Sequence, residues 1–305
     1  MLSRSQFHAF VLSAGFGTRL APLTDEIPKP LVPVGNEPVL GASLKQLQRA
    51  GAARLFVNVH HHAQEITNYI ESLGFDVQVI SESSIRGTAG GIAGAKRHLD
   101  GAPLIVVNGD IVGKLPITSL LARATSGLVL ALVPRAVGVG TVGVGRGGVV
   151  VRLRGEFFGE ETSSGDYMGV ACLGPQCVST LPAIGCLVGD WALPLLRVGG
   201  EIQTHFVETE FEDIGDPRAY LSANMRWLEN GSPALSPAGA LIASSANIGS
   251  GVQIQESIVG ADCRVDGSGL MKNCVILPGA RVLTPLSDAI VTPRGVVMQV
   301  EPLAE

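Results

Sequence analysis

The sequence has few charged residues, few aromatic residues and no long apolar run. Asp, Glu, Lys and Arg make up 16% of its 305 residues and aromatic residues 5%, whereas hydrophobic residues make up 46%. This composition excludes an intrinsically disordered chain and indicates a well-buried globular protein. The net charge of -5 argues against a general binder of nucleic acid or of anionic membranes. No apolar run reaches the length of a membrane span.

Cysteine is also scarce, and its spacing fits neither a disulfide framework nor a metal site. The five cysteines are an odd number with no CxxC motif: Cys172, Cys177, Cys186, Cys263 and Cys274. This pattern favours reduced, mostly buried thiols in a cytoplasmic protein. The apolar stretch after Arg4 is too short for a secretion signal and runs directly into a glycine loop, which supports the same compartment.

Glycine, by contrast, is abundant, and it punctuates a first half in which short apolar runs alternate with segments of helical periodicity. The segment after Pro38, for example, has Leu40, Leu44 and Leu47 on one face and ends at Gly51. Strand–helix alternation of this kind predicts a parallel sheet with helices on both faces. Ligands bind such sheets at the carboxyl ends of the strands.

The second half indicates a different organisation. We interpret residues 127–213 as the rest of a mixed sheet with a substrate-side lobe, followed by a closing helix in PRAYLSANMRWLEN. Residues 230–239 form a Pro/Gly/Ser-rich linker. We therefore predict one domain over residues 1–232 and a second over residues 240–305.

The predicted second domain has its own repeat. Apolar residues recur about every six positions with one slip: Ile248, Ile254, Val259, Val265, Met271, Leu277 and Leu283. A hexapeptide period is typical of a parallel β-helix. About two coils fit, so we expect the tail to lean on the first domain or on another subunit in a homo-oligomer. AIVTPRGVVMQV is expected to add a terminal strand or pair of strands.

The segment VLSAGFGTRLAPLTDEIPKPLVPVG, residues 11–35, carries the strongest chemical signal. A glycine loop after a buried strand can bring N–H groups close to an anion, although a lone GxG fits a tight turn equally well. Arg19 adds a planar donor suited to phosphate oxygens. Lys29 lies between Pro28 and Pro30, which hold this cation on a stiff segment. Two cations at this spacing indicate a site for phosphate groups.

These residues resemble the signature of the sugar-1-phosphate nucleotidyltransferases, also called nucleotide-sugar pyrophosphorylases. That signature runs G-x-G-T-R, P-x-T, P-K-P and P-x-L, and every element occurs in order within residues 15–40. The resemblance continues in GTAGGI (87–92), VVNGDI (106–111), YMGVACL (167–173) and FEDIGDPRAYLSAN (211–224), and so covers most of the chain. It implies a Rossmann-like, doubly wound mixed α/β sheet followed by a short left-handed parallel β-helix. Within the family, the sequence is similar to the mannose-1-phosphate guanylyltransferase branch.

The resemblance also implies a reaction, in which an NTP and a sugar 1-phosphate give an NDP-sugar and pyrophosphate. It implies that Arg19 neutralises the leaving pyrophosphate and that Lys29 bridges the α-phosphate and the sugar phosphate. Mg²⁺ is the expected cofactor, held by Asp110, which is also a catalytic candidate, and by Asp213. Taken alone, Asp110 could be a turn residue, and only the family register selects Asp213 among neighbouring acids. The implied nucleotide-binding residues are Ala14, Gly15, Gly17, Thr18, Glu82, Gly87, Thr88 and Gly90, and the implied sugar-binding residues are Asn108, Gly143 and Gly169.

Three local features leave alternatives open. Thr88 also fits a helix cap. Many family members carry Glu-Lys-Pro after the sugar-side strands, but EFFGEETSSGDY (156–167) has no lysine, so Arg152 or Arg154 substitutes or Lys29 acts alone. The three histidines at 60–62 predict a strand-end loop rather than a metal site, because neighbours on an extended chain face opposite ways.

The substrates expected first are GTP and mannose 1-phosphate. UTP or dTTP with a glucose or amino-sugar phosphate are alternatives. A catalytically silent nucleotide-sugar-binding regulator is another, although such relatives usually lose residues corresponding to Arg19, Lys29, Asp110 or Asp213. An acyl-transferring tail is disfavoured, because none of the six histidines lies in it. No nucleic-acid or membrane partner is expected.

Overall fold

The computed structural model describes residues 7–231 and 235–301. The chain divides into two compact units. The first unit comprises Met1–Gly15 and Leu40–Phe211, and the second comprises Phe16–Val39 and Glu212–Glu305. These units cut the chain at other places than the predicted domain boundary, because most of the signature segment belongs to the same unit as the C-terminal strands.

The helices and strands are numbered in chain order. The strands are β1 (His8–Leu12), β2 (Pro33–Val34), β3 (Glu37–Pro38), β4 (Arg54–Val59), β5 (Gln78–Ser81), β6 (Leu104–Asn108), β7 (Ile111–Gly113), β8 (Leu128–Arg135), β9 (Val142–Val144), β10 (Val150–Leu153), β11 (Glu156–Phe157), β12 (Ser163–Leu173), β13 (Gln203–Phe206), β14 (Phe211–Asp213), β15 (Leu241–Ile242), β16 (Asn247–Ile248), β17 (Gly251–Gln255), β18 (Ile258–Val259), β19 (Arg264–Ile276), β20 (Arg281–Val291) and β21 (Val297–Gln299). The helices are α1 (Val39–Arg49), α2 (Ala63–Ser72), α3 (Gly87–Ala93), α4 (Ile117–Leu121), α5 (Pro175–Thr180), α6 (Leu193–Arg197) and α7 (Pro217–Glu229).

The main sheet of the first unit has the order β11-β10-β9-β12-β6-β1-β4-β5, and β8 and β13 extend it from β12. Strand β1 pairs in parallel with β4 and with β6, and β4 pairs in parallel with β5. Along β5-β4-β1-β6 the chain order therefore reverses between β1 and β6. Such a reversal is the switch point at which doubly wound sheets bind ligands. The predicted mixed α/β sheet is confirmed.

Buried apolar faces explain the positions of the first helices. Leu40, Leu44 and Leu47 on α1 are fully buried, as their spacing predicts. Ile66 and Ile70 form the buried face of α2, which ends before Gly74 as expected. Apolar residues that recur every three or four positions thus dock both helices on the sheet.

Helix α3 differs from its prediction. It ends at Ala93, and its N-cap is Arg86 rather than Thr88. The carbonyl oxygen of Gly185 accepts hydrogen bonds from the N–H groups of Ala89 and Gly90, so a neighbouring loop satisfies the start of the helix. Thr88 as a helix cap is therefore wrong.

In the second unit the signature segment packs against α7. The Tyr220 hydroxyl donates to the carbonyl oxygen of Pro33 at 2.7 Å, and the Gly35 N–H donates to Asn224 Oδ1 at 3.2 Å. The predicted closing helix α7 is confirmed, and the Asp216 carboxylate caps it by accepting from the Ala219 N–H at 3.0 Å.

The C-terminal strands β15–β20 pair in parallel, and partners lie 17 residues apart except over the second half of the β19–β20 pairing, where they lie 15 apart. Leu241 pairs with Ile258, which pairs with Val275, which pairs with Ile290. Four strands therefore stack, and the slip in the six-residue period reflects a spacing shorter than three full hexapeptides. The expected terminal pair is confirmed by the antiparallel pairing of β20 with β21. A buried cluster that includes Val259, Met271 and Cys274 fills the space between the strands.

All five cysteines are free, and all except Cys186 are buried. Burial raises the pKa of the Cys172 and Cys177 thiols to about 12, and that of Cys274 to about 11. Among the helices in the described ranges, none combines the length and apolar character that crossing a bilayer requires.

Two glycines provide a matched test of this packing. Gly35 and Gly74 both have a positive φ, so alanine at either costs about 1–2 kcal/mol of backbone strain. A Cβ at Gly35 would lie 2.2 Å from Cε2 of Trp227, whereas one at Gly74 would meet no atom within 4 Å. We expect Gly35→Ala to lower the free energy of unfolding by about 1–3 kcal/mol more than Gly74→Ala. Equal losses in denaturant unfolding would contradict this packing.

Candidate functional site

The carboxyl ends of β1 and β6 lie in close contact in the first unit. Leu12 pairs with Asn108, and the Gly109 N–H donates to the Leu12 carbonyl oxygen at 2.9 Å. A Cβ at Gly109 would lie 2.4 Å from the same oxygen, so only glycine permits this approach. Asn108 and Asp110 therefore lie at the carboxyl end of β6, next to the carboxyl end of β1, after which Ala14 and Gly15 follow.

A buried hydrogen-bond network joins this loop to the next strands. Asn58 Oδ1 accepts from the Ser13 N–H at 2.8 Å, and Asn58 Nδ2 donates to Glu82 Oε1 at 2.8 Å. Glu82 Oε2 accepts from the Arg86 N–H at 2.9 Å. Both carboxylate oxygens of Glu82 therefore bond within the protein, and this carboxylate orients the loop that leads into α3. Sequence reasoning missed Asn58, because a polar residue inside an apolar strand carries no motif.

The loop at the start of α3 is held by residues 183–187. Gly87 has φ +74°, and a Cβ there would lie 2.4 Å from the Gly185 carbonyl oxygen. A Cβ at Gly90 would lie 2.6 Å from the carbonyl oxygen of Ala183. The Thr88 hydroxyl accepts from the Leu187 N–H at 2.7 Å. These three predicted nucleotide-binding residues thus share the first turn of α3, whose packing against residues 183–187 depends on the absence of side chains at both glycines.

In the second unit, Gly17 and Lys29 lie against each other. Gly17 has φ +69°, and a Cβ there would lie 2.9 Å from Lys29 Cβ. The Thr24 hydroxyl donates to the Gly17 carbonyl oxygen at 3.0 Å. Lys29 begins a 3-10 turn that follows Pro28 and contains Pro30. The aliphatic stem of the lysine is therefore held across the glycine, as expected of a cation on a stiff segment.

Arg19 lies against the segment that carries Asp213. A Cβ at Gly215 would lie 3.0 Å from Arg19 Nη2, so the guanidinium group packs directly on this glycine. Arg19 shares a 3-10 turn with Thr18. The second unit thus brings together a predicted phosphate-binding arginine and the strand end of a predicted metal-binding aspartate.

The predicted sugar-binding glycines both lie at close contacts in the first unit. Gly169 has φ +75° within the irregular part of the β12–β8 pairing, and a Cβ there would lie 3.0 Å from Asn108 Nδ2. A Cβ at Gly143 would lie 2.4 Å from Glu161 Oε2. Gly169 and Asn108 therefore neighbour each other, whereas Gly143 makes room for a carboxylate.

The carboxylate of Glu161 bears on which residue replaces the lysine of Glu-Lys-Pro, which residues 156–167 lack. Arg152 Nε donates to Glu161 Oε2 at 2.7 Å, and Arg152 Nη2 donates to the Gly140 carbonyl oxygen at 2.8 Å. The two side chains are only 11% and 9% exposed. The guanidinium group is thus engaged within the protein, which argues against Arg152 as the substitute. Arg154, whose Nη2 lies 3.7 Å from Cys186 Sγ, and Lys29 acting alone are the alternatives left.

The histidines at 60–62 form a strand-end loop, as predicted. His60 Nδ1 bonds to the Glu82 carbonyl oxygen at 2.8 Å, and His62 Nδ1 bonds to Glu65 Oε1 at 2.7 Å. In the part of the chain that the structure describes, no cluster of three or more His, Cys, Asp or Glu residues could hold a metal ion.

Known proteins resemble this chain over most of its length. Residues 8–132 match the family model described as nucleotidyl transferase. Probable mannose-1-phosphate guanylyltransferase 1 of Oryza sativa subsp. japonica is 26% identical, over 90% of this chain and 82% of the relative. Mannose-1-phosphate guanylyltransferase 1 of Arabidopsis thaliana is 24% identical over the same shares. The chain therefore contains a nucleotidyl transferase domain over residues 8–132, and over most of its length it resembles the sugar-1-phosphate nucleotidyltransferases. It is accordingly an enzyme.

A solved structure shares the fold of this chain. HddC from Yersinia pseudotuberculosis, in complex with GMP-PN, matches with a TM-score of 0.62. The identity is 23%, and the match covers 73% of this chain and 100% of HddC. At that identity the likeness shows the fold alone.

The Arg152–Glu161 pair predicts a pH dependence of stability. The hydrogen bonds from Arg152 lower the pKa of Glu161 from the ordinary value of 4.5 to about 2. Because the folded-state pKa is the lower one, the stabilisation is complete above pH 4.5 and is lost as the pH falls towards 2.

Glu161→Gln removes this titration. We expect the loss in free energy of unfolding caused by Glu161→Gln to be largest near neutral pH and to shrink as the pH falls through this range. Denaturant unfolding at several pH values measures the loss. Glu160→Gln, at an exposed neighbour, is the control and should show no such trend. A loss for Glu161→Gln that is independent of pH would contradict the prediction.

Proposed function

We propose that this enzyme forms an NDP-sugar and pyrophosphate from an NTP and a sugar 1-phosphate, with GTP and mannose 1-phosphate as substrates. The observation that carries the proposal is the β1–β6 switch point, where the strand end before Ala14 and Gly15 is adjacent to the strand end before Asp110. The names of the relatives from Oryza sativa and Arabidopsis thaliana support the choice of substrates.

In the proposed reaction, an oxygen of the sugar phosphate forms a bond to the α-phosphorus of the NTP. The bond from that phosphorus to the oxygen bridging to the β-phosphate breaks, and pyrophosphate leaves. Such a transfer depends on positioning and on neutralising charge. Lys29 would bridge the α-phosphate and the sugar phosphate, and Arg19 would neutralise the leaving pyrophosphate. The packing of Lys29 on Gly17 and of Arg19 on Gly215 supports these roles, since it restricts where each cation can lie.

The nucleotide would lie on backbone groups. We assign its phosphates to the N–H groups of the loop through Ala14, Gly15, Gly17 and Thr18. The first turn of α3, with Gly87, Thr88 and Gly90, would contact the base or ribose. Glu82 would support the loop before α3 by accepting the hydrogen bond from the Arg86 N–H. Asn108, Gly143 and Gly169 would line the sugar.

Asp110 and Asp213 would hold the Mg²⁺ that the family implies. The fit rests on the chemistry of the donors, which are two carboxylates. Mg²⁺ suits such a site, because it prefers one or two carboxylates with phosphate oxygens and water. When bound, the ion would neutralise phosphate charge. The position of Asp110 directly after Gly109 supports its part in this site.

We also propose an arrangement of domains and a location. Residues 1–232 would carry catalysis, and residues 240–305 would form a left-handed parallel β-helix that serves stability or homo-oligomer assembly. The parallel pairing of residues 17 apart supports this coil. A cytoplasmic location is consistent with the free cysteines.

A substrate panel tests the proposed function. Pyrophosphate release by the purified enzyme is measured with ATP, GTP, UTP and dTTP, each with mannose, glucose and amino-sugar 1-phosphates in the presence of Mg²⁺. We expect the highest kcat/KM with GTP and mannose 1-phosphate. Preference for UTP or dTTP would overturn the substrate assignment, and binding of nucleotide sugar without turnover by any pair would overturn the reaction.

Removing the Lys29 charge should impair catalysis. We expect Lys29→Met to lower kcat by about 10²- to 10³-fold, because one preorganised charge at a developing phosphate charge contributes on this scale. Steady-state kinetics measures the effect, and circular dichroism checks folding. Lys272→Met removes a cation that pairs with Glu256 in the tail, and it should leave kcat unchanged. Equal activities of the two variants would contradict the role of Lys29.

Gly15 offers a test of the nucleotide loop. A Cβ at Gly15 would meet no protein atom within 4 Å, so Gly15→Ala should not disturb the fold. If the loop lies against the nucleotide, the added methyl group crowds the ligand. We then expect the KM for the NTP to rise at least about 10-fold, which corresponds to the free energy of roughly one hydrogen bond. Gly127→Ala is the control, since its Cβ would also have ordinary space. An unchanged KM in Gly15→Ala would exclude close contact with the nucleotide.

A further inference from the structure

Glu26 connects the signature segment to the end of the C-terminal strands within the second unit. Its Oε1 accepts a hydrogen bond from the Thr292 hydroxyl at 2.7 Å, and its Oε2 accepts one from the Arg294 N–H at 2.9 Å. Both carboxylate oxygens are thus used by one turn of the chain. Hydrogen bonds to an ionised carboxylate are among the stronger ones in proteins.

The turn that binds Glu26 is itself ordered by hydrogen bonds. Thr292 is fully buried directly after β20, and its hydroxyl accepts from the Val296 N–H at 3.1 Å while donating to Glu26. The Thr292 N–H donates to the Val296 carbonyl oxygen at 3.0 Å, and the Gly295 N–H donates to the Thr292 carbonyl oxygen at 2.8 Å. The turn therefore presents two fixed donors, which match the two acceptor oxygens of a carboxylate.

On the other side of the contact, Glu26 is held close to Lys29. Its backbone N–H donates to the Leu23 carbonyl oxygen at 3.1 Å, which closes the 3-10 turn before it. Ile27 and Pro28 are the only residues between Glu26 and Lys29, and Pro28 restricts the backbone there. A shift of the Glu26 side chain is therefore passed to Lys29 through a short, stiff segment.

We propose that Glu26 is a positioning residue for Lys29, and that the turn at 292–296 acts on catalysis through it. The proposal rests on the role of Lys29 in the proposed function. It extends that function by giving the C-terminal strands a part in turnover beyond stability and assembly. Glu26 itself does not touch the reacting atoms.

Four variants test the proposal. Glu26→Ala removes both acceptors, and Thr292→Val removes one donor from the far side of the contact. We expect each to lower kcat about 10- to 100-fold, the scale of a misplaced catalytic group, while the KM for the NTP changes less. Thr292→Ser keeps the hydroxyl and should retain most of the activity. The double variant Glu26→Ala/Thr292→Val should be no slower than Glu26→Ala alone, because Thr292 acts through Glu26.

A neighbouring carboxylate is the control. Asp25→Ala removes an exposed charge one residue away, and it should leave kcat unchanged. Circular dichroism and thermal unfolding check that each variant folds. If Thr292→Val does not fold, Glu26→Ala decides alone, since Glu26 is only half-buried.

Two outcomes overturn the proposal and leave the proposed function standing. One is a folded Glu26→Ala variant whose kcat equals that of the wild type. The other is a Thr292→Ser variant as slow as Thr292→Val, which would show that the hydroxyl is not what matters. Failure of the proposed function is distinguishable, because the wild-type enzyme would then show no turnover with any pair of substrates.

Discussion

The close approach of β1 and β6 at Gly109 is the contact on which the candidate site depends. A Cβ at Gly109 would lie 2.4 Å from the Leu12 carbonyl oxygen, so no side chain fits there and the two strand ends can meet only at a glycine. Because the chain order reverses between these strands, their connections leave in opposite directions and open a crevice. The loop at Gly15 follows β1 in the chain and Asp110 follows β6, so both begin at these two strand ends. The hydrogen-bond network through Asn58 then carries the same order to the loop before α3.

Glycine has the same physical role at several places in the site. At Gly87, Gly90 and Gly143 it lets a carbonyl or carboxylate oxygen lie where a side chain would be. At Gly17 it gives space to the stem of Lys29. At these positions glycine therefore permits close contacts between segments of the chain, and in the proposed function such contacts would hold cations and N–H groups in place before a ligand arrives. Preorganisation of this kind is what a transfer between phosphates requires.

Regular patterns made much of the fold predictable. Helices α1, α2 and α7, the parallel sheet and the terminal pair of strands follow from apolar periodicity and from Gly, Pro and Asp at helix ends. The cap of α3 did not, because a carbonyl oxygen from Gly185 replaces the side chain that the local sequence offers. The slip in the six-residue period has a structural reason, since strand partners 17 residues apart are one residue short of three hexapeptides. Asn58 and the Arg152–Glu161 pair have no sequence signal, because their partners come from other strands.

The sequence by itself determined the resemblance to a known family, the chemical groups available and the order of the elements, since these are carried by neighbouring residues in a linear signature. The tertiary structure alone decided which polar groups are engaged within the protein. Glu82 and Arg152 were candidates for substrate contacts, and both bond to residues of the protein. Only the tertiary structure, too, decided that Glu26 contacts Thr292, 266 positions away. Contacts at such separation depend on how strands and turns pack, and no local pattern encodes that packing.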